Sequence, residues 1–137
     1  MTLVDANILI DLFTDDREWA EWSAEALTRA SAEGAVGINP VIYAEASIAF
    51  TTQVLFEASL CPLELTRWDL PYNAGFRAGK AFLAYRRKKG ERRSPLPDFY
   101  IGAHAAENGL RLLTRDPRRY RKYFPEVDLI VPDNRDR

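Results

Sequence analysis

Four acidic residues at four separate points of the chain, Asp5, Glu45, Asp98 and Asp116, are the side chains best suited to chemistry. Asp5 follows the apolar pair Leu3-Val4, and Asp116 lies two residues beyond the run that finishes at Leu113-Thr114, so each is predicted at the carboxyl end of a short buried strand. Asp98 opens a helix that feeds the second of these strands, and Glu45 lies one to two turns into a helix launched from another strand end. In parallel sheets, ligands collect at the carboxyl ends, near the point where strand order reverses. Carboxylates gathered there repel, and at least one takes up a proton unless a cation intervenes. Hard oxygen donors suit Mg²⁺ or Mn²⁺, whereas a single histidine, His104, and a single cysteine, Cys61, offer no zinc spacing. Taken singly, Asp98 after Pro97 reads as an N-cap, Asp116 before Pro117 as a turn residue and Asp5 as a cap. Glu45 differs, being a lone acid in the apolar stretch from Val41 to Phe50, where burial without a partner is costly. Asp11, Asp15 and Asp16 are expected to face water, and His104 to be a packing or surface residue.

The elements that must position these acids alternate. Strands are predicted at Leu3-Val4, Ala35 to Ile38, Leu110 to Thr114 and Leu129 to Val131, with a further one at Leu63 to Thr66 resting on four alternating residues. Between them, helical periodicity covers Asp15 to Ser31, Asn39-Pro40 through Phe50, a segment to about Leu60, the stretch after Asp69-Leu70-Pro71, Asp98 to Asn108, and a short basic helix to Phe124. Gly75 and Gly79, four apart, suggest either close helix packing or a weak spot. Strands separated by helices of this length argue for an α/β fold whose central sheet is mostly parallel, with four to five short strands flanked by helices.

With 137 residues, 47% of them hydrophobic, the chain has room for one domain over residues 1–137 and enough apolar surface for a core. No stretch approaches the length needed to cross a bilayer, no basic segment precedes the first apolar one, and one cysteine forms no internal disulfide, so a cytoplasmic protein without a membrane partner is expected. The net charge of -1 hides an asymmetry, since residues 1–64 sum to -9 and residues 65–137 to +8. Two clusters dominate the basic half, one with Arg86, Arg87, Lys88, Lys89, Arg92 and Arg93, the other with Arg115, Arg118 and Arg119. Two such clusters in one small domain suit a polyanionic partner, whereas either alone reads as a solvated helix end or loop.

In order and spacing, Val4-Asp5-Ala6-Asn7, Tyr43-Ala44-Glu45, Leu96-Pro97-Asp98-Phe99 and Leu112-Leu113-Thr114-Arg115-Asp116 resemble the four acidic motifs of PIN-domain proteins, most closely the VapC toxins of bacterial toxin-antitoxin pairs. The resemblance runs over essentially the whole chain and is most specific from Pro97 to Pro132. It implies a Mg²⁺-dependent endoribonuclease toxin, neutralised by a cognate antitoxin and forming a homodimer. It also implies that Asp5 and Asp98 hold the metal, that Glu45 and Asp116 complete the cage, that Asn7 and Thr114 orient the ligands, and that the two basic clusters hold the RNA that the acids repel. Metal-assisted phosphatases also place acids at strand ends, but their general acid two residues after the first Asp is here Asn7; response-regulator receivers need an acidic pair that Asp5 lacks. The remaining alternative is a catalytically weak PIN-like module that binds RNA or protein.

Two surfaces are expected. An excess of aromatic residues, among them Trp19, Trp22, Phe50, Phe56, Tyr72 and Phe76, points to a self-association face. The segment from Val41 to Leu60 carries more apolar side chains than one buried helical face requires, including Ile48, Val54, Leu55 and Phe56, and suits an amphipathic partner helix beside Glu45.

Overall fold

The computed structural model describes residues 1–87 and 96–133. Five strands, β1 (Thr2–Val4), β2 (Val36–Ile38), β3 (Thr66–Arg67), β4 (Arg111–Leu113) and β5 (Leu129–Ile130), form one sheet in the order β3-β2-β1-β4-β5, and every pairing is parallel. The chain starts at the centre, steps outward through β2 to β3, then crosses back to lay β4 on the other side of β1. The seam between β1 and β4 is therefore where strand order reverses. Seven helices accompany the sheet among the described residues: α1 (Ala6–Phe13), α2 (Ala20–Glu33), α3 (Pro40–Ser47), α4 (Gln53–Leu60), α5 (Tyr72–Arg87), α6 (Leu96–Asn108) and α7 (Arg118–Tyr123). Parallel neighbours need such crossovers, and the central strands β1 and β4 are covered on both faces, with Leu3, Val4, Leu112 and Leu113 fully buried.

Two glycines are dictated by packing. A Cβ on Gly37 in β2 would lie 2.5 Å from the Thr66 carbonyl oxygen of β3, and one on Gly102 in α6 would lie 2.3 Å from the Phe124 ring. The pair Gly75 and Gly79 plays no such part, since a Cβ on Gly75 would make ordinary contact with Tyr100 and one on Gly79 would meet nothing. Phe99 anchors the start of α6 in an aromatic cluster with Phe82, Tyr85, Tyr123 and Phe124, at centroid distances of 5.1 to 6.4 Å.

Several boundaries depart from expectation, each for a local reason. The helix expected from Asp15 begins at Ala20, because Asp15 adopts φ 47° and the Asp16 carboxylate accepts from the amides of Glu18 and Trp19, closing a turn. The helix from Asn39 ends at Ser47, and Thr52 recaps the chain by accepting from the Leu55 amide at 3.2 Å. The strand expected at Leu63 to Thr66 is displaced to Thr66–Arg67, since Cys61–Leu63 is a 3-10 turn closed by Glu64 at φ 52°. The aromatic residues also divide. Phe56 is 1% exposed and packs with Phe13, Tyr43 and Phe50, Trp19 and Trp22 meet edge to face, and only Tyr72 and Phe76 of the six stand fully in solvent.

Candidate active site

Asp5 leaves the end of β1 and caps α1, its Oδ1 accepting from the Ala6 amide at 2.7 Å. Its backbone amide donates to the Leu113 carbonyl across the seam, so β4 carries Thr114 to the same spot. The Thr114 hydroxyl donates to Asp5 Oδ2 at 2.8 Å, and the Tyr120 hydroxyl of α7 donates to that same oxygen at 2.9 Å. Thr114 Oγ1 in turn accepts from Asn7 Nδ2 and from the Asp116 amide, both at 3.2 Å, while Asn7 Oδ1 accepts from the Arg115 amide. Asn7 and Thr114 thus tie the start of α1 to the loop after β4.

Asp98, in the first turn of α6, and Glu45, in α3, reach the same place from the helix side. An open cleft of about 550 Å³ is lined by Asp5, Glu45, Asp98 and Asp116, with Asn7, Tyr85, Arg118, Arg119, Tyr120 and Lys122 around them. The mutual charge is felt. Burial, then Asp98, raises the Asp5 carboxyl from 3.8 to about 6, against the donors Thr114, Tyr120 and Ala6. Burial, then Asp5 and Asp98, raises Glu45 from 4.5 to about 7. Asp98 is also raised, by burial first and by Asp116, while Arg119 and Tyr120 hold it down. Asp116 is the outermost of the four, exposed and 3.6 Å from Arg118.

The basic residues fall into three groups. Arg118 is 90% exposed at the cleft, and Arg119 donates to Asp98 Oδ2 at 2.6 Å beneath the Tyr85 ring. Arg86 and Arg87 stand exposed at the end of α5, and Lys88, Lys89, Arg92 and Arg93 lie outside the described residues. Arg115 points away from the cleft and grips Asp11 through two bonds, Nε to Oδ2 at 2.8 Å and Nη2 to Oδ1 at 2.9 Å. Asp11 was expected in water and is 1% exposed; the Arg115 fork and the Ser23 hydroxyl, at 2.8 Å, supply the donors that burial requires. His104 is fully buried and shares a 3.0 Å contact with Asn39, whose Oδ1 caps α3.

Tyr120 is the site residue that sequence reasoning passed over, as part of a basic cluster. The available signal was its place four residues after Asp116, one helical turn on, together with the rule that a buried tyrosine needs a hydroxyl partner. Among the described residues, no group of three or more His, Cys, Asp and Glu side chains is drawn close enough to hold an ion. Asp98 is turned to Arg119, and Asp5 Oδ2 to two hydroxyls. The donors themselves are all carboxylate oxygens in a partly dry cleft, the set that suits a hard divalent cation.

The PIN domain family model matches residues 2–125. No curated protein matches the chain by sequence. Among solved structures, the fold is similar to VapBC2 from Rickettsia felis bound to a DNA fragment from their promoter, at TM-score 0.72 and 16% identity over 96% of this chain and 98% of that one. It is similar to FitAcB from Neisseria gonorrhoeae, at TM-score 0.68 and 19% identity over 95% and 96% of the two chains. A toxin-antitoxin complex from Klebsiella pneumoniae gives TM-score 0.67 and 22% identity over 97% and 98%.

Proposed function

Because the chain belongs to the PIN domain family, we propose that it is a VapC-type toxin, a Mg²⁺-dependent endoribonuclease that hydrolyses RNA phosphodiester bonds and is neutralised by a cognate antitoxin. The observation that carries the reading is the convergence of Asp5, Glu45, Asp98 and Asp116, from four separate elements, on one cleft at the seam of the sheet. Asp5 and Asp98 would hold the ion, with Glu45 and Asp116 completing the oxygen set. The chemistry that Mg²⁺, or Mn²⁺ in its place, supplies when bound is an acidified water and positive charge beside the scissile phosphate. Thr114 and Tyr120 keep Asp5 Oδ2 fixed, and Asn7 holds Thr114 in register, so the carboxylate presents one orientation to its ligand. Without the ion, burial and the charges of Asp5 and Asp98 raise Glu45 to about 7, and a bound cation would relieve that repulsion. Arg118 and Lys122 at the rim supply the attraction for phosphate that the acids oppose.

The partner reading rests on two exposed apolar patches. Ile48, Val54 and Leu55 stand in solvent, and Ile48 also lines the cleft, so an antitoxin helix seated there would reach the acids. Tyr72, Phe76 and Leu83 are exposed along α5 and suit a homodimer, which sedimentation of a Tyr72→Ser, Phe76→Ser variant tests by its loss. The central experiment is cleavage of single-stranded RNA with and without Mg²⁺ by wild type, Asp5→Asn and Asp98→Asn. Metal-dependent cutting lost in both variants is expected. RNA bound by wild type but never cut would return the chain to a binding module.

A further inference from the structure

We propose that Asp11 and Arg115 form an internal strap that sets the position of the Thr114–Asp116 loop, making Arg115 a positioning residue for the acidic cleft and not a contact for RNA. Arg115 stands between two residues of the site. On one side Thr114 donates to Asp5, and on the other Asp116 lines the cleft. Arg115 itself turns the opposite way, into the gap between α1 and α2. Its guanidinium bonds both oxygens of Asp11, at 2.8 and 2.9 Å, and lies 5.4 Å from the Trp19 ring centroid. Its backbone amide donates to Asn7 Oδ1 at 3.2 Å. The loop is thereby fastened twice to α1, through Asn7 near its start and Asp11 one turn on.

The anchor is built for that purpose. Asp11 is almost wholly buried and accepts three bonds, two from Arg115 and one from Ser23 of α2, so its charge has no water to fall back on. A two-pronged guanidinium fits a carboxylate plane in one orientation, which a lysine does not reproduce. To meet a phosphate, Arg115 would have to leave the buried Asp11 uncompensated, whereas the partner of Arg118, Asp116, is itself exposed and stays solvated when Arg118 turns away.

The strap is independent of function; only its effect on metal binding rests on the ribonuclease reading. The test compares wild type with Asp11→Asn/Arg115→Gln, which removes both charges together, and with Arg115→Lys, which keeps Asp11 neutralised should the double variant not fold. Three quantities are read: amide hydrogen exchange at Arg115 and Asp116, Mn²⁺ affinity by calorimetry, and the salt dependence of binding to a 2′-O-methyl RNA that cannot be cut. Exchange at both amides should quicken at least about tenfold, and Mn²⁺ binding should weaken by roughly 10-fold or more, as when an orienting partner of a ligand is lost. The slope of affinity against salt should stay as in wild type. Unchanged exchange and Mn²⁺ affinity, with a slope reduced by about 0.7 for the lost phosphate contact, would overturn the proposal. Should wild type bind no Mn²⁺ at all, the ribonuclease reading fails, and the exchange rates alone decide the strap.

Discussion

Tyr120 donates its phenolic hydrogen to Asp5 across 115 positions of sequence, at 2.9 Å, and both residues are buried. Burial first, and then Asp5 itself, lifts the phenol well above its ordinary pKa, so Tyr120 remains a donor at any working pH. Replacing it with Phe keeps the ring and removes only that donor. The expected result is a loss of about 1 kcal/mol in urea unfolding and a roughly 10-fold weaker Mn²⁺ affinity. Unaltered metal affinity would reduce Tyr120 to a packing residue.

Glu45 carries a pH signature of definite sign. Its folded pKa, about 7, lies above the ordinary 4.5, so the native state keeps a proton that the unfolded chain has released. Stability from this group is complete below about pH 4.5 and is lost as pH rises through 7. In metal-free protein, the melting temperature of Glu45→Gln relative to wild type should therefore climb by a few degrees between about pH 5 and 8. His104, which burial pushes down, works in the opposite direction but equally in both proteins. A constant difference across that range would show Glu45 to be better solvated than its place in the cleft indicates.

Salt dependence separates the arginines and lysines by task. Arg118 and Lys122 stand at the cleft rim, so replacing both with Ala should lower the slope of log affinity against log salt for single-stranded RNA by about 1.4, or 0.7 for each contact. Wild-type slope in that variant would move the RNA path away from α7.

For the antitoxin, the informative substitutions are Val54→Ser and Leu55→Ser in α4. These side chains are 78% and 54% exposed, so the fold should lose less than about 0.5 kcal/mol while the complex weakens by 10-fold or more in a pull-down titration. Phe56, which the sequence placed on the same docking face, is buried; Phe56→Ala should cost about 3 to 5 kcal/mol of stability and says nothing about docking. Full antitoxin affinity in the Val54 and Leu55 variants would remove this face from the interaction.

Most of the architecture could be read from the chain because its signals are short-range. Proline and asparagine at 39–40, Thr52 and Gly109 mark helix ends by backbone chemistry alone, and Leu3-Val4 and Leu112-Leu113 are apolar enough to be strands of a sheet covered on both faces. The convergence of the four acids followed from topology. What could not be read was pairing across the chain. Asp11 looks like any acid on an amphipathic helix until Arg115, 104 residues later, is seen gripping it. Tyr120 looks like one aromatic in a basic run, and Phe56 like an exposed one, because nothing local tells which side of a helix the rest of the fold will cover. Charge counted along the sequence likewise assigned Arg115 and Arg119 to RNA and could not show that their guanidinium groups pair with Asp11 and Asp98.

The seam between β1 and β4 also governs when the cleft can come into being. Asp5 leaves a ribosome well before its hydroxyl donors, Thr114 and Tyr120, which follow 109 and 115 residues later. Loop closure over such separations is slow and cannot start before the distal partner exists. A nascent chain therefore carries Val54 and Leu55 through the exit tunnel long before it owns an assembled set of acids. A binding partner waiting for that apolar face would meet the polypeptide while the cleft is still two unjoined halves.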